Sequence, residues 1–457
     1  MKNQISVRET TMNNRLVILG GGESGVGAAL LGKKEGYSVL LMDEGSLKDG
    51  YRKELQKAAI DFIENGIDEE KLLTADEVVK SPGIAEKNEW VKKLRKKNIP
   101  IISEIELAFR HKGNSKIIAI TGSNGKSTTT ALTFHICQTA GLNCALVGNI
   151  GYSFARQVAE DPKALYVAEI SSFQLDDIKE FRPDVALLLN ITEDHLDRYE
   201  YKFENYVNSK FRITMNQTSD DYFIYNLDDE VITNYLKHKP IKSFQLPISM
   251  KQKVAKGGYI QNDEMHIQVN NEQQQMSIYD FALKGKHNQY NTMAASVAGA
   301  TMDIRKEKIR EAVETFENLE HRMEMVATVR GVEFINDSKA TNVNSTWFAL
   351  ESMTKPTVLI LGGIDKGNDY ALLEDLVKEK VKAIVCMGID NSKIHAAFDG
   401  KVSTVVDSAS AEEAVEYAYR LAIVGDVVLL SPACASFDLF KNYEDRGKQF
   451  KEAVRNL

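Results

Sequence analysis

The chain has 457 residues, more than one typical hydrophobic core serves, and that length points to about three domains. With 57 lysines and arginines against 65 aspartates and glutamates, its net charge is −8, which speaks against a nucleic-acid surface. No segment is long and apolar enough to cross a bilayer, and the polar opening, residues 1–14, lacks the apolar stretch of a signal peptide and reads as a loose tail.

Taken in chain order, apolar runs end in turn residues and alternate with helical patterns, as expected for parallel α/β sheets. The first third carries such strands at 16–22 (LVILGGG), 39–43 (VLLMD) and 78–84 (VVKSPGI). Gly20, Gly22 and Gly25 fit G-x-G-x-x-G after a strand, and Asp43 ends the next strand about twenty residues on, a dinucleotide fingerprint. Another nucleotide diphosphate could use the same turn, so the motif leaves an NAD-dependent oxidoreductase open as a rival. The basic run Lys92 to Lys97 reads as a solvated helix face, with Trp90 and Leu94 giving that helix an apolar stripe.

The middle third opens on IIAITGSNGKST at 117–128. An apolar strand runs into a glycine turn ending Gly125-Lys126-Ser127 at a helix start, which is a phosphate cradle. Turn N–H groups and the helix end would hold a polyphosphate, Lys126 would reach its terminal groups, and Ser127 would sit on Mg²⁺. Ile120 stands where the commonest phosphate loop has glycine, so the loop is G-x-x-G-K-S. The nucleotide is ATP or GTP. Two further strands follow, at 165–172 (LYVAEISS) and 185–195 (VALLLNITEDH). Glu169 ends a buried strand, where an ionised carboxylate is costly unless paired or on a metal; beside a phosphate loop Mg²⁺ is the natural partner, and a cap on the next helix is the alternative. His195 is a candidate ligand or a structural histidine, and Lys210 carries no signal from its spacing. The polar stretch Gln261 to Gln275, in which Met265, Ile267 and Val269 alternate, reads as an exposed hairpin inserted in the middle domain.

The last third repeats the pattern at 332–339 (VEFINDSK), 357–366 (TVLILGGIDK) and 427–436 (VVLLSPACAS). Open α/β sheets bind ligands beyond the carboxyl ends of their strands, so three sheets imply three crevices, which suits an enzyme that joins two substrates. Besides the oxidoreductase, a nucleotide switch whose triphosphate only orders loops stays open. Cys137, Cys144, Cys386 and Cys434 show no metal or disulfide spacing and read as reduced, mostly buried thiols of a cytoplasmic protein.

The motifs GSNGKST, GNIG, EISSFQL, NITEDHLDRY, HRME, NDSKATN and LLSPACASFDLFKNYEDRG occur in this order from the phosphate loop to near the end, and with them the chain resembles the Mur ligases. The resemblance implies a three-domain α/β protein: a Rossmann-like UDP-sugar domain over 1–103, a central phosphate-loop ATPase-like domain over 104–318, and a Rossmann-like amino-acid domain over 319–457. It implies a cytoplasmic, ATP-dependent amide ligase of peptidoglycan precursor synthesis, a monomer acting on UDP-N-acetylmuramoyl-L-alanine and D-glutamate, with no nucleic acid or membrane. By the same resemblance Gly122, Ser123, Asn124, Gly125, Lys126, Ser127 and Thr128 would hold ATP. His287, Asn288 and Asn291 would lie at its adenine side, with Arg322, Asp337 and Lys339 as further contacts. Ser127 and Glu169 would bind one Mg²⁺, and Glu169, His195 and a carbamylated Lys210 a second. Lys126, Glu169, His195 and Lys210 form the catalytic set. Gly83 and Asn149 would contact the UDP-sugar; Thr341, Lys366, Ser436 and Tyr443 would hold D-glutamate. Where relatives often carry a hydroxyl residue and an arginine, this chain has Asp43-Glu44-Gly45, which leaves uracil to backbone groups or to residues elsewhere in the first domain.

Overall fold

The computed structural model describes residues 14–270, 272–317 and 320–457; the expected tail over 1–14 lies almost wholly outside them. The described residues form two compact units, one of those up to 280 with 290–314 and one of 281–289 with those from 315 to 457.

The first unit holds two sheets. One comprises β1 (Arg15–Leu19), β2 (Ser38–Met42), β3 (Asp61–Ile63), β4 (Glu77–Lys80) and β5 (Ile101–Ser103), all parallel in the order β3-β2-β1-β4-β5. The loops after β1 and β4 therefore flank the point where strand order reverses, the usual crevice of such sheets. The other comprises β6 (Lys116–Thr121), β7 (Cys144–Gly148), β8 (Leu165–Glu169), β9 (Val185–Leu188), β10 (Tyr222–Asn226), β11 (Phe244–Ser249), β12 (Gly257–Gln261), β13 (Glu264–Val269) and β14 (Glu272–Ser277). Its order is β14-β13-β12-β11-β10-β9-β6-β8-β7.

The strands are continuous apolar runs because both sheet faces are covered. Along β1, Leu16 and Ile18 enter one core cluster and Val17 and Leu19 another, all at most 2% exposed; each such side chain contributes about 1.5–3 kcal/mol relative to exposure. The stretch expected as an exposed hairpin is instead a meander that extends the central sheet: β12 pairs parallel with β11, β13 antiparallel with β12, and β14 antiparallel with β13. Met265, Ile267 and Val269 are buried. Their alternation marks one covered face.

Within this unit, charges bind the two sheets' elements together. The Arg156 guanidinium, on the helix Phe154–Glu160, meets Glu23 at 2.7 and 3.2 Å and also pairs with Glu54. Lys80, 4% exposed at the end of β4, lies 3.0 Å from buried Asp177. Removing one partner would strand the other's charge in a buried place, so such pairs fix a register more than they add stability. The basic run forms the helix Glu89–Lys96, with Val91 and Leu94 buried and Trp90 half-buried, so Val91 joins Leu94 in the stripe.

The second unit holds β15 (Glu324–Val329), β16 (Val332–Asn336), β17 (Thr357–Leu361), β18 (Val381–Met387), β19 (Thr404–Ser408) and β20 (Val427–Leu430), ordered β15-β16-β20-β17-β18-β19. Only the β15–β16 pair is antiparallel. Leu359 and Leu361 pack on one face, Val358 and Ile360 on the other. The four cysteines are free, Cys137, Cys386 and Cys434 buried and Cys144 half-buried. Among the described residues, no helix is long and apolar enough to cross a membrane.

Candidate nucleotide site

The phosphate loop leaves β6 and enters the helix Lys126–Thr139 through Gly125 at φ 81°. A Cβ there would stand 2.4 Å from the Asn291 side-chain oxygen, so both conformation and space require glycine. Asn291 thus packs on the loop, where Thr129 Oγ1 also donates to it at 3.2 Å. The rest of the loop is fixed by the NIT stretch: Asn124 N–H donates to Asn190 Oδ1 at 2.8 Å, Asn190 Nδ2 donates to Asn124 O at 3.0 Å, and Ser123 Oγ donates to Thr192 O at 2.9 Å. These supporting roles of Asn190 and Thr192 have no sequence signal beyond the motif. Lys126 Nζ donates to the carbonyls of Gly122 and Ser123 at 2.9 and 2.8 Å. It is held against the loop it would serve. Ser127 and Thr128 are buried in the helix's first turn.

Glu169 ends β8, the strand beside β6, and pairs in register with Ile120. It is 1% exposed. Asn149 Nδ2 donates to its Oε1 at 2.8 Å, while Oε2 has no hydrogen-bond partner among the described residues. The close approach depends on Gly148, φ 101°, where a Cβ would lie 2.3 Å from Glu169 O. The helix-cap alternative fails. Ser171 caps the helix Ser172–Leu175, with Gln174 completing a capping box. A buried carboxylate with an orphaned oxygen beside a phosphate loop has the chemistry of a hard-cation ligand.

Lys210, on the helix Phe203–Phe211, is 1% exposed and donates to Gly122 O at 2.7 Å, with its ammonium nitrogen 4.6 Å from the Tyr206 ring centre. Burial, and then the neighbouring Lys126 charge, hold its pKa well below the ordinary lysine value. His195 adopts φ 53° at the start of a short 3₁₀ turn and packs edge-on against Phe173 at 5.1 Å. A non-glycine residue there is held by its surroundings. Arg198, three residues on, stacks over Phe173 and donates to the carbonyls of Pro82, Gly83 and Ile84 at 3.1 to 3.3 Å. The first unit thus gathers Lys126, Ser127, Glu169, Asn149 and Lys210 around one loop and ties Gly83 to the turn that carries His195.

In the first crevice, Asp43 accepts from the backbone N–H groups of Gly21 and Gly45, so its carboxylate braces the glycine turn. Glu44 Oε1 accepts from Trp90 Nε1 at 2.9 Å, and Lys93 lies 4.3 Å from the Trp90 ring centre.

In the second unit, β16, β20 and β17 lie side by side; Asp337, Lys339 and Thr341 follow β16, Lys366 follows β17 and Ser436 follows β20, while Arg322 precedes β15 and Tyr443 opens the helix Tyr443–Arg455. Asp337 is buried, accepts from Ser431 Oγ at 2.9 Å, and has its pKa pushed up to about 7, chiefly by burial. Lys339 Nζ lies 3.6 Å from the Tyr443 ring centre. Ser436 is buried, Thr341 half-buried, and Lys366 exposed after Gly362-Gly363. Asn288 Nδ2 donates to Lys284 O at 2.8 Å, and burial lowers the pKa of His287 to about 4. In this unit too a residue escaped the sequence reading. Arg446, fully buried, donates to Ser338 Oγ and O at 3.0 and 2.8 Å and to Cys434 O at 3.1 Å, joining the loops that follow β16 and β20.

A glycine loop on a largely parallel sheet, with a buried carboxylate and a buried lysine of lowered pKa around it, defines a nucleoside-triphosphate enzyme of the α/β class. The sequence matches the Mur ligase MurD-like N-terminal domain over residues 14–103, the Mur ligase middle domain over 120–299 and the Mur ligase glutamate ligase domain over 321–434. It is 53% identical over 446 residues to the UDP-N-acetylmuramoylalanine–D-glutamate ligase of Christiangramia forsetii, covering 98% of this chain and 100% of that one. The Bacteroides fragilis protein of the same name is 51% identical over 448 residues, with coverage of 97% and 100%. The chain belongs to the Mur ligase family. Among solved structures, the UDP-N-acetylmuramate-alanine ligase of Thermotoga maritima aligns over 97% of this chain and 99% of its own with a TM-score of 0.62 at 16% identity, a likeness of fold.

Proposed function

We infer that the protein is an ATP-dependent ligase that adds D-glutamate to UDP-N-acetylmuramoyl-L-alanine through an acyl phosphate, releasing ADP and phosphate, in cytoplasmic peptidoglycan precursor synthesis. Residues 1–103 take the UDP-sugar, 104–318 ATP and 319–457 the amino acid. The observation that carries the chemistry is the phosphate loop with Glu169 Oε2 unpartnered beside it; the substrate pair rests on the full-length relatives. Phosphate release should need ATP, the UDP-sugar and D-glutamate together. Release without the amino acid, or a nicotinamide absorbance change on turnover, would overturn the reading.

The alanyl carboxylate is a poor electrophile. Its oxygen attacks the γ-phosphorus, ADP leaves, and the resulting acyl phosphate carries a good leaving group. The D-glutamate amine then attacks the acyl carbon, loses a proton, and the tetrahedral intermediate expels phosphate as the amide forms. Lys126 exchanges its two loop carbonyls for phosphate oxygens and offsets the charge that develops. Loop N–H groups, fixed by Asn190 and Thr192, hold the nucleotide in line. Asn149 keeps Glu169 oriented while also facing the UDP-sugar, which Gly83 contacts. Asn291, packed on the loop, is a further proposed nucleotide contact; His287, Asn288, Arg322, Asp337 and Lys339 are the second unit's proposed nucleotide-contacting residues.

Magnesium fits the donor set: Ser127 and Glu169 would hold one ion, and Glu169, His195 and a carbamylated Lys210 a second, the ions supplying charge neutralisation on the phosphates. Carbamylation needs a neutral amine, and the depressed pKa of Lys210 supplies one. Its nitrogen bonds to the carbon of CO₂, a proton leaves, and an anionic carbamate replaces a cation. Lys210→Ala is expected to lower turnover about 10²-fold, the scale of a lost electrostatic stabiliser, with partial recovery in a short carboxylic acid. A ¹³C carbamate signal after labelled bicarbonate checks the modification. Full activity of the variant, with no such signal in the native protein, removes the proposal.

For uracil, Glu44 is already engaged by the Trp90 indole. Glu44→Ala is expected to change the UDP-sugar dissociation constant less than about tenfold, or 1.4 kcal/mol. Calorimetric titration reads this directly, and a larger loss would give the carboxylate its own contact with the base.

A further inference from the structure

A cluster of soft and hard ligand atoms lies in the second unit, at the edge of its sheet. Cys386 on β18 and Asp407 on β19 are register partners in a parallel pair, so their side chains leave the same face. The helix Ser392–Phe398 connects these two strands and brings His395 onto them. The Cys386 sulfur, a His395 ring nitrogen and an Asp407 carboxylate oxygen all lie within 4.8 Å of one another. None of the three belongs to the nucleotide or substrate residues described above.

Two features go beyond proximity. His395 Nε2 and Asp407 Oδ1 are 3.2 Å apart, close to the separation of about 3.3 Å between ligands on a tetrahedral ion with bonds near 2.0 Å. The other imidazole nitrogen, Nδ1, is 3.0 Å from Asp399 Oδ1, at the end of the same helix. That is the carboxylate–histidine arrangement that orients a metal-binding ring and fixes its tautomer. Asn391 Nδ2 holds Asp407 Oδ1 in place at 2.8 Å. The cluster opens on a cavity of about 620 Å³ lined by Gly388, Asn391, His395, Asp407 and Glu413, which leaves room for a solvent ligand in the fourth position.

We propose that Cys386, His395 and Asp407 bind a single Zn²⁺-class ion, with Asp399 as the positioning residue behind His395. Sulfur, nitrogen and one carboxylate oxygen suit zinc or cobalt and not Mg²⁺ or Ca²⁺, which take oxygen. As the sulfur–metal bond forms, the Cys386 thiol gives its proton to solvent. The ion would pin the edge strand β19 to β18 and to the helix between them.

The test is a Co²⁺ titration of the full-length protein after chelator treatment, followed by the thiolate-to-cobalt charge-transfer absorption. An ion held by carboxylates and phosphates alone does not give that band. The expected result is one equivalent with the band, displaced by Zn²⁺. Cys386→Ser and His395→Ala should each abolish it, and Asp399→Asn should weaken affinity about 10- to 100-fold. His395 is partly exposed, so its variant tests the site even if the buried cysteine tolerates no change. No thiolate band in the native protein, or a band that survives either ligand variant, would show that His395 only pairs with its two aspartates.

Discussion

Replacing Lys126 by alanine is expected to abolish ligation, lowering phosphate release by at least about 10³-fold, while the UDP-sugar still binds nearly as tightly as to the unmutated protein. The size follows from where the charge sits. Lys126 starts the helix behind the loop, and its ammonium lies on two loop carbonyls, so it is already within reach of whatever the loop holds. A single preorganised donor at a developing oxyanion is worth about 10²–10³, and a full cation on a transferring phosphoryl group exceeds that. Selectivity follows from topology. The proposed uridine crevice belongs to the sheet β3-β2-β1-β4-β5, and the phosphate loop to the sheet that contains β6. Rapid-quench phosphate release and a separate UDP-sugar titration measure the two effects. Wild-type turnover would remove the loop from the mechanism, and lost UDP-sugar binding would mean that Lys126 supports the fold.

The strands that mattered were legible because parallel sheets covered on both faces leave unbroken apolar runs, and the chemistry follows those runs at their carboxyl ends. Glu169 could be singled out on that ground alone, since an acid at the end of a buried strand must have a partner. Lys210 could not. Its meaning lies in burial against Gly122 O, a contact set by how the helix Phe203–Phe211 packs, and only the family resemblance pointed to it. Arg446 was invisible for a related reason: arginine in a polar motif reads as solvated, yet here it is fully buried between two loops. The meander β12–β14 shows the opposite failure. Its alternation was visible, but alternation shows that one face is covered and not by what. Cys386, His395 and Asp407 match no ligand spacing, and become neighbours only through strand register.

Replacing Lys366 by alanine is expected to raise the D-glutamate KM and to cost about 2–5 kcal/mol in kcat/KM, because the amino acid's carboxylate would be held without its cation. Lys366 is suited to this by its place after Gly362-Gly363 at the carboxyl end of β17, where it stands exposed. The turn that bears it is braced independently: Asp365 accepts from Gly367 N–H at 2.8 Å and pairs with Lys393 at 2.6 Å. Loss of the Lys366 side chain should therefore leave the loop in place and report on charge alone. Ser436 and Thr341 are the proposed neutral donors, and with both carboxylates fixed only the D isomer would present its amine in a reactive orientation. Phosphoryl transfer to the UDP-sugar carboxylate should survive, since the proposed phosphate-handling groups Lys126, Ser127 and Glu169 lie on the middle domain. Acyl-phosphate formation and complete ligation, measured side by side with D- and L-glutamate, separate these effects. Equal use of both isomers by the unmutated protein, or an unchanged D-glutamate KM in the variant, would take Lys366 out of the amino-acid site.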